Sequence, residues 1–226
     1  MSGSRTLLLR LEGPLQSWGY RSRFKNRDTG LEPTKSGVVG LLCCALGRDR
    51  SQSPKDLAAL KMHVRVDRPG RLLTDFHTAG GGTFRGRSDY FAPTSSGNKG
   101  KNPVITERQY LADASFVVAL EGSENLLVEL ADGICDPVWP LSLGRKSCPP
   151  TQQVFIELSD LDPRSALESA KPTFGKLAER PRFVWETDEP GTKTEARNDV
   201  PVSWTDRLDR SYGIRFIEVA LGEWPS

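Results

Sequence analysis

Histidine, cysteine and long apolar runs are scarce in this 226-residue chain, and each shortage removes a class of protein. The two histidines, His63 and His77, and the four cysteines leave little material for a metal centre. Cys43 and Cys44 are adjacent in an apolar segment, while Cys135 and Cys148 stand alone. No Cys-x-x-Cys pair occurs, so zinc-ribbon and thioredoxin-like chemistry are set aside and buried free thiols are expected. No carboxylates or histidines cluster as metal ligands do, so neither a metal nor another cofactor is expected. No stretch approaches the roughly 20 apolar residues of a membrane span. The brief apolar run after Met-Ser-Gly-Ser-Arg is too short for a signal peptide. A cytoplasmic protein without a membrane partner is expected. Charge of one sign is scarce as well: 31 Lys and Arg against 29 Asp and Glu leave a net +2. Any nucleic-acid surface must therefore be a local patch offset by acid elsewhere.

What the chain does have is turn formers. Gly 21 and Pro 16, with 37% hydrophobic residues, favour strands and loops over a helical bundle. Strands are expected at residues 6–11, 63–67, 114–120 and 153–158, with late strands at 182–185 and 214–219. Residues 38–46 read as a buried helix capped by Thr34 or Ser36. A short helix should run from Ser53-Pro54 to Leu60, with Ser as cap. Another should run from Glu124 to Ala131 and end at Gly133, and a third from Asp162-Pro163 to Ala170. The polar connection 186–199 reads as a loop or mobile hairpin. Through residue 158 the order is strand, helix, strand, long insert, strand, helix, strand, the ferredoxin-like pattern of an α+β domain. A four-stranded sheet of this kind is a common RNA platform, although a fold alone does not fix a function.

The insert, from about Asp75 to Arg108, is the oddest segment. Gly80, Gly81, Gly82, Gly86, Gly97 and Gly100 interrupt it, and Arg85, Arg87, Lys99, Lys101 and Arg108 outnumber Asp89 and Glu107. Connections this long are functional or disordered. Its flanks, residues 72–76 and 106–111, can pair as a projecting basic hairpin. Such a hairpin would bring His77, at its root, near Tyr110. A His/Tyr/Lys group of that kind can cleave RNA by metal-free acid–base catalysis. His63, in an expected strand, reads as structural.

Three constellations bear on binding. After the first strand, Gly-Pro-Leu-Gln-Ser-Trp-Gly at 13–19 presents Gln16, Ser17 and Trp18, followed by the basic and aromatic run Tyr20, Arg21, Arg23, Phe24, Lys25 and Arg27. Aromatic faces stack on bases and cations track phosphates, which suits single-stranded nucleic acid. The same residues also fit a core-capping Trp18 beside a solvated loop. Thr34-Lys35-Ser36-Gly37 at a helix start is either an anion site or an ordinary cap; P-loop spacing is absent. In Leu143-Gly-Arg-Lys-Ser-Cys-Pro-Pro150, Gly144 permits close backbone approach, and Arg145, Lys146 and Ser147 offer phosphate contacts or a plain basic turn.

Together, GPLQSWG, PTKSGVVGLL, Arg108-Gln-Tyr-Leu111 with Asp113-Ala-Ser-Phe116, and LGRKSCPP resemble the Cas-five family of the RAMP superfamily. These are the CasD-type subunits of type I-E CRISPR surveillance complexes, or Cascade. The likeness runs in order from residue 7 to about 150. It implies one RAMP-type domain over 1–226, with a thumb β-hairpin at about 75–110 and a strand-rich C-terminal extension at about 160–226. It implies a non-catalytic subunit that binds the 5′ handle of CRISPR RNA and caps the CasC backbone filament. The subunit would also contact the large subunit CasA and meet target DNA through the assembled complex. Gln16, Ser17 and Trp18 would line the handle site, Lys35 and Ser36 would meet phosphates, and Arg145, Lys146 and Ser147 would form the opposite wall. Arg21, Arg23, His77, Arg85, Arg87, Arg108, Tyr110 and Gly144 complete the expected RNA-binding set. Relatives in other subtypes process precursor RNA, so a metal-independent endoribonuclease using His77 is the alternative.

Overall fold

The computed structural model describes residues 5–19, 25–84, 87–90, 92, 97, 103–173, 175, 177–204 and 211–224, with the backbone alone for 82–84 and 87–90. Tyr20, Arg21, Arg23, Phe24, Arg85, Lys99 and Lys101 lie outside the described residues.

In chain order the elements are β1 (Thr6–Glu12), β2 (Leu15–Gln16), β3 (Asn26–Arg27), α1 (Lys35–Ala45), α2 (Lys55–Ala58), β4 (Lys61–Arg68), β5 (Arg71–Ala79), β6 (Gly82–Phe84), β7 (Arg87–Tyr90) and β8 (Val104–Ala112). Then come β9 (Ser115–Glu121), α3 (Glu124–Cys135), β10 (Phe155–Ser159), α4 (Pro163–Ser169), β11 (Arg182–Thr187), β12 (Thr194–Ser203) and β13 (Ser211–Leu221). The larger sheet has the order β10-β1-β9-β4-β11-β13-β12, with every neighbour antiparallel. A smaller sheet places β8 between β5 on one side and β2 and β3 on the other.

The near-continuous apolar runs of β1 and β9 follow from burial on both faces. Alternation sorts their side chains into two cores. Leu7, Leu9, Leu11, Phe116, Val118 and Leu120 pack with α1 and α3. Leu8, Val117 and Ala119 pack on the opposite face with Ala166 and Leu167 of α4, Phe183 and Trp185. Phe183 and Trp185 stack with ring centroids 5.1 Å apart. That second face is therefore closed. Arg65 lies fully buried on the closed side, bound to Asp67 and donating to the carbonyls of Leu167 and Ala170. The open sheet surface on which RNA would lie is not available here, because the chain beyond residue 160 occupies it.

Thr34 caps α1, its hydroxyl accepting from the Gly37 N–H at 3.3 Å. Three local expectations need correction. The second helix is only Lys55–Ala58, with Pro54 rather than Ser53 at the cap position. Gly133 lies inside α3, which continues to Cys135 because Ile134 is still buried against the core. The connection 186–199, expected as a loop or mobile hairpin, contains the end of β11 and the start of β12, each paired with β13. Turn formers fill only the stretch between these two strands. The polar run after them is a strand whose Asp199 is buried in an ion pair with Arg215.

Candidate nucleic-acid interface

The loop after β1 is held by its own polar groups. Gln16 and Trp18 are fully buried. The Gln16 amide donates to the carbonyls of Leu11 (3.0 Å) and Ala114 (2.8 Å), and its oxygen accepts from the Trp18 indole N–H at 3.0 Å. The Trp18 backbone N–H donates to the Thr29 hydroxyl at 2.8 Å. The core-cap reading of this turn is the one the geometry matches. Neither the indole nor the amide faces solvent, so neither is placed to stack on or read a base.

Ser17 is where the first motif meets the third. Its N–H donates to the Leu143 carbonyl at 3.0 Å, and its hydroxyl donates to the Gln109 carbonyl of β8 at 3.1 Å. Gly144 makes this approach feasible. It has φ +86°, and a Cβ there would sit 1.8 Å from the Ser17 carbonyl oxygen. Substitution would break the junction.

Arg145, from the same loop, reaches across it. Its Nη1 donates to the Gln109 carbonyl at 3.0 Å. Its Nη2 donates to the carbonyls of Arg27 (2.9 Å) and Asp28 (3.3 Å). The guanidinium carbon stands 4.7 Å from the centroid of the Tyr110 ring, a cation–π distance. Lys146 and Ser147 are exposed.

The small sheet supplies the adjoining face. β3 runs parallel to β8, with Asn26 beside Glu107 and Arg27 beside Arg108. β5 and β8 pair from Arg71 opposite Ala112 to Ala79 opposite Val104, the hairpin expected of the insert's flanks. Opposed residues share a face. One face thus carries Arg27, Arg108 and Asp75 in a row, with Tyr110 and Leu73 on one side of it and Thr106 and His77 on the other. The expected meeting of His77 with Tyr110 does not form. Tyr110 lies opposite Leu73, four residues or about 13 Å along the strand, and is buried. His77 is half-exposed, with Nδ1 4.0 Å from Asp75 Oδ2. Arg87 falls in β7, of which the backbone alone is described.

Lys35 turns elsewhere. Its ammonium is buried and lies 2.5 Å from Glu186. Its backbone N–H at the start of α1 donates to Asp199 at 2.8 Å. Asp199 and Glu186 also bind Arg215. Burial lowers the Lys35 pKa, with the Glu186 carboxylate pulling the other way. A carboxylate of the chain itself thus occupies the helix N-terminus expected to take a phosphate. Ser36 is half-buried beside it. The helix start does approach the first motif, since a Cβ on Gly37 would lie 2.7 Å from the Trp18 ring. The Lys35 side chain is not part of the basic face.

The comparisons with known proteins agree with this architecture. The profile of the family described as CRISPR-associated protein (Cas_Cas5) matches residues 6–218. The chain belongs to this family. It is 36% identical over 186 residues to the CRISPR system Cascade subunit CasD of Escherichia coli (strain K12), covering 76% of this chain and 79% of that one. It superposes on a chain of a CRISPR RNA-guided surveillance complex with TM-score 0.83 and 37% identity, covering 98% of this chain and 91% of that chain. A crystal structure of a Cas protein matches with TM-score 0.71 and 39% identity, over 96% of this chain and 94% of that one.

Lys25 and Arg27 belong to the basic run of the first motif but stand outside the expected RNA-binding set, which takes only Arg21 and Arg23 from it. Both are exposed beside the Arg145 loop. The signal was present. Arg21, Arg23, Lys25 and Arg27 recur at every second position, the spacing that sends side chains to one face of an extended segment.

Proposed function

We propose that this chain is the RNA-binding assembly subunit of a type I-E CRISPR surveillance complex. It holds the 5′ handle of CRISPR RNA and caps one end of the CasC backbone. It contacts CasA, meets target DNA through the complex, acts in the cytoplasm and leaves the RNA uncut. The observation that carries the reading is the meeting of the Gly144–Ser147 loop with β3 and β8, which gathers Lys25, Arg27, Arg108 and Arg145 around one face of the small sheet, with exposed Lys146 following Arg145 in the loop. That such a face occurs in a chain 36% identical to a Cascade subunit adds support. The strand set β10-β1-β9-β4, joined through α1 and α3, supports a ferredoxin-like reading. The β5–β8 hairpin, with Phe76 65% exposed, is its thumb.

Labelled CRISPR-repeat RNA, titrated with the full chain in competition with a shuffled RNA of equal length, tests the assignment. Preference for the handle sequence is expected, and equal binding of the shuffled strand would refute it. The endoribonuclease alternative keeps one supporting observation, the half-exposed His77 on the same face as Arg108. Incubation with repeat RNA in EDTA separates the two. A site-specific product that vanishes in His77→Ala would replace the assembly reading with the enzymatic one.

A further inference from the structure

The basic residues of this face are not equivalent. Arg145 is already engaged: its donors serve three carbonyls, those of Gln109, Arg27 and Asp28, and its plane lies near the Tyr110 ring. A guanidinium has five N–H donors in a rigid fork, so turning it onto a phosphate would dismantle this set. Lys25, Arg27 and Lys146 differ. All three are exposed, and among the described residues none makes an ion pair. With Arg108 and Arg145 these cations outnumber the neighbouring acids Asp28, Asp75 and Glu107. The Arg27 carbonyl that Arg145 holds belongs to β3, and the Lys25 carbonyl accepts from the Glu107 N–H at 3.0 Å. The segment 25–28 is short, and these bonds tie it to β8.

We propose that Arg145 is a positioning residue that clasps residues 25–28 to β8, and that Lys25, Arg27 and Lys146 meet the RNA sugar–phosphate backbone. This rests on the RNA-binding reading above and reassigns its contacts. Loss of the clasp frees the segment without deleting a phosphate contact. Loss of the three exposed cations deletes contacts and leaves the clasp intact.

The test uses the full chain, fluorescein-labelled single-stranded CRISPR-repeat RNA, anisotropy across a sodium chloride series, and amide hydrogen exchange over residues 25–28. In the combined variant Lys25→Gln, Arg27→Gln and Lys146→Gln, the log–log salt slope should become shallower by about 2, at about 0.7 per single-strand contact. Affinity near 0.1 M salt should fall by about 100-fold, with exchange unchanged. Arg145→Gln should weaken binding, keep the wild-type slope and speed exchange at 25–28. Arg145→Lys keeps the charge and loses the fork, so it should behave like Arg145→Gln. A phosphate-contact role instead predicts wild-type behaviour in Arg145→Lys, and a slope shallower by about 0.7 with normal exchange in Arg145→Gln. Either result overturns the proposal, as does an unchanged slope in the triple variant. If the wild-type chain binds no RNA, the functional reading fails and takes the three contacts with it, while the exchange measurement still decides the clasp.

Discussion

The two sheets of this molecule are built to opposite specifications. The larger is covered on both faces over β1, β9 and β4, by α1 and α3 on one side and α4 on the other, with Arg65–Asp67 and Arg215–Asp199 paired inside, while β13 near its edge keeps Ile214, Val219 and Leu221 exposed. In the smaller, every residue of β5 is exposed from Arg71 to Ala79, and the charges on its face point outward or brace backbone carbonyls. One sheet is closed over its central strands and the other keeps its outer strand open to solvent. The contrast also explains why two similar sequence signals diverge. Lys35 and Arg145 both sit beside glycine and serine at turns. Lys35 adjoins the large sheet and is sealed by Glu186, while Arg145 adjoins the small one and holds a surface loop.

The sharpest way to break this contrast is to attack the hinge between the sheets. Trp18 lies there, fully buried against α1, with its indole N–H satisfied by Gln16. Trp18→Ala should cost about 3–5 kcal/mol of stability, the range for emptying a large aromatic site. Urea unfolding followed by circular dichroism measures it. A loss under about 1 kcal/mol would mean that packing around buried Trp18 contributes little to folding.

A somewhat smaller effect is expected from the buried charges. Asp199→Ala removes the partner of both Arg215 and the Lys35 N–H. Removing one member of a buried pair costs about 3–5 kcal/mol. The low end is expected here, because Glu186 remains beside both cations. Restoration of stability by Lys35→Met in the Asp199→Ala background would confirm that the cost is an uncompensated buried charge. Additive losses would argue against it.

The same region gives the large sheet a pH dependence. His63 is buried, stacks obliquely on Trp185, and its Nδ1 accepts from the Glu186 N–H at 3.1 Å. Burial pushes its pKa down from 6.5 to about 4, with Glu186 opposing and Lys61, Arg215 and Lys35 assisting. Its Nε2 also lies 3.9 Å from Glu121. Between these two values the unfolded chain binds the proton and the folded chain does not. Stability therefore falls as pH drops from about 6.5 towards 4. The loss from this residue is on the order of 1–3 kcal/mol. His63→Phe should flatten that limb of the stability–pH curve, and an unchanged limb would assign the acid sensitivity to carboxylates instead.

How the sequence announced each region follows the same division. Strands buried on both faces, such as β1 and β9, were legible because burial demands an unbroken apolar run. The Leu72–Leu111 pairing was legible from the insert's flanks. β12 was not legible, because an ion pair gives a strand the polar composition of a loop, and the partner Arg215 is 16 residues away. Burial of Gln16 was hidden for a related reason: its acceptors are carbonyls at Leu11 and Ala114, which sequence leaves unmarked. Residue types identified the two motif loops. Which of their side chains turn inward is decided by backbone partners, and side-chain composition carries no trace of those.

The smallest stability effect should come from the most conspicuous apolar residue. Phe76 is 65% exposed, midway along β5, opposite Glu107. β5 has no second strand neighbour among the described residues, so its outer edge supports nothing else in the fold. Substitutions outside packed or satisfied sites change stability by about 0.5 kcal/mol or less. Phe76→Ser should therefore unfold at nearly the wild-type urea midpoint. A shift above 1 kcal/mol would show that the hairpin is packed into the body of the molecule. An unchanged midpoint, beside the large loss at Trp18, places the two aromatics on opposite sides of the division: one buried and needed for folding, the other exposed and dispensable to it.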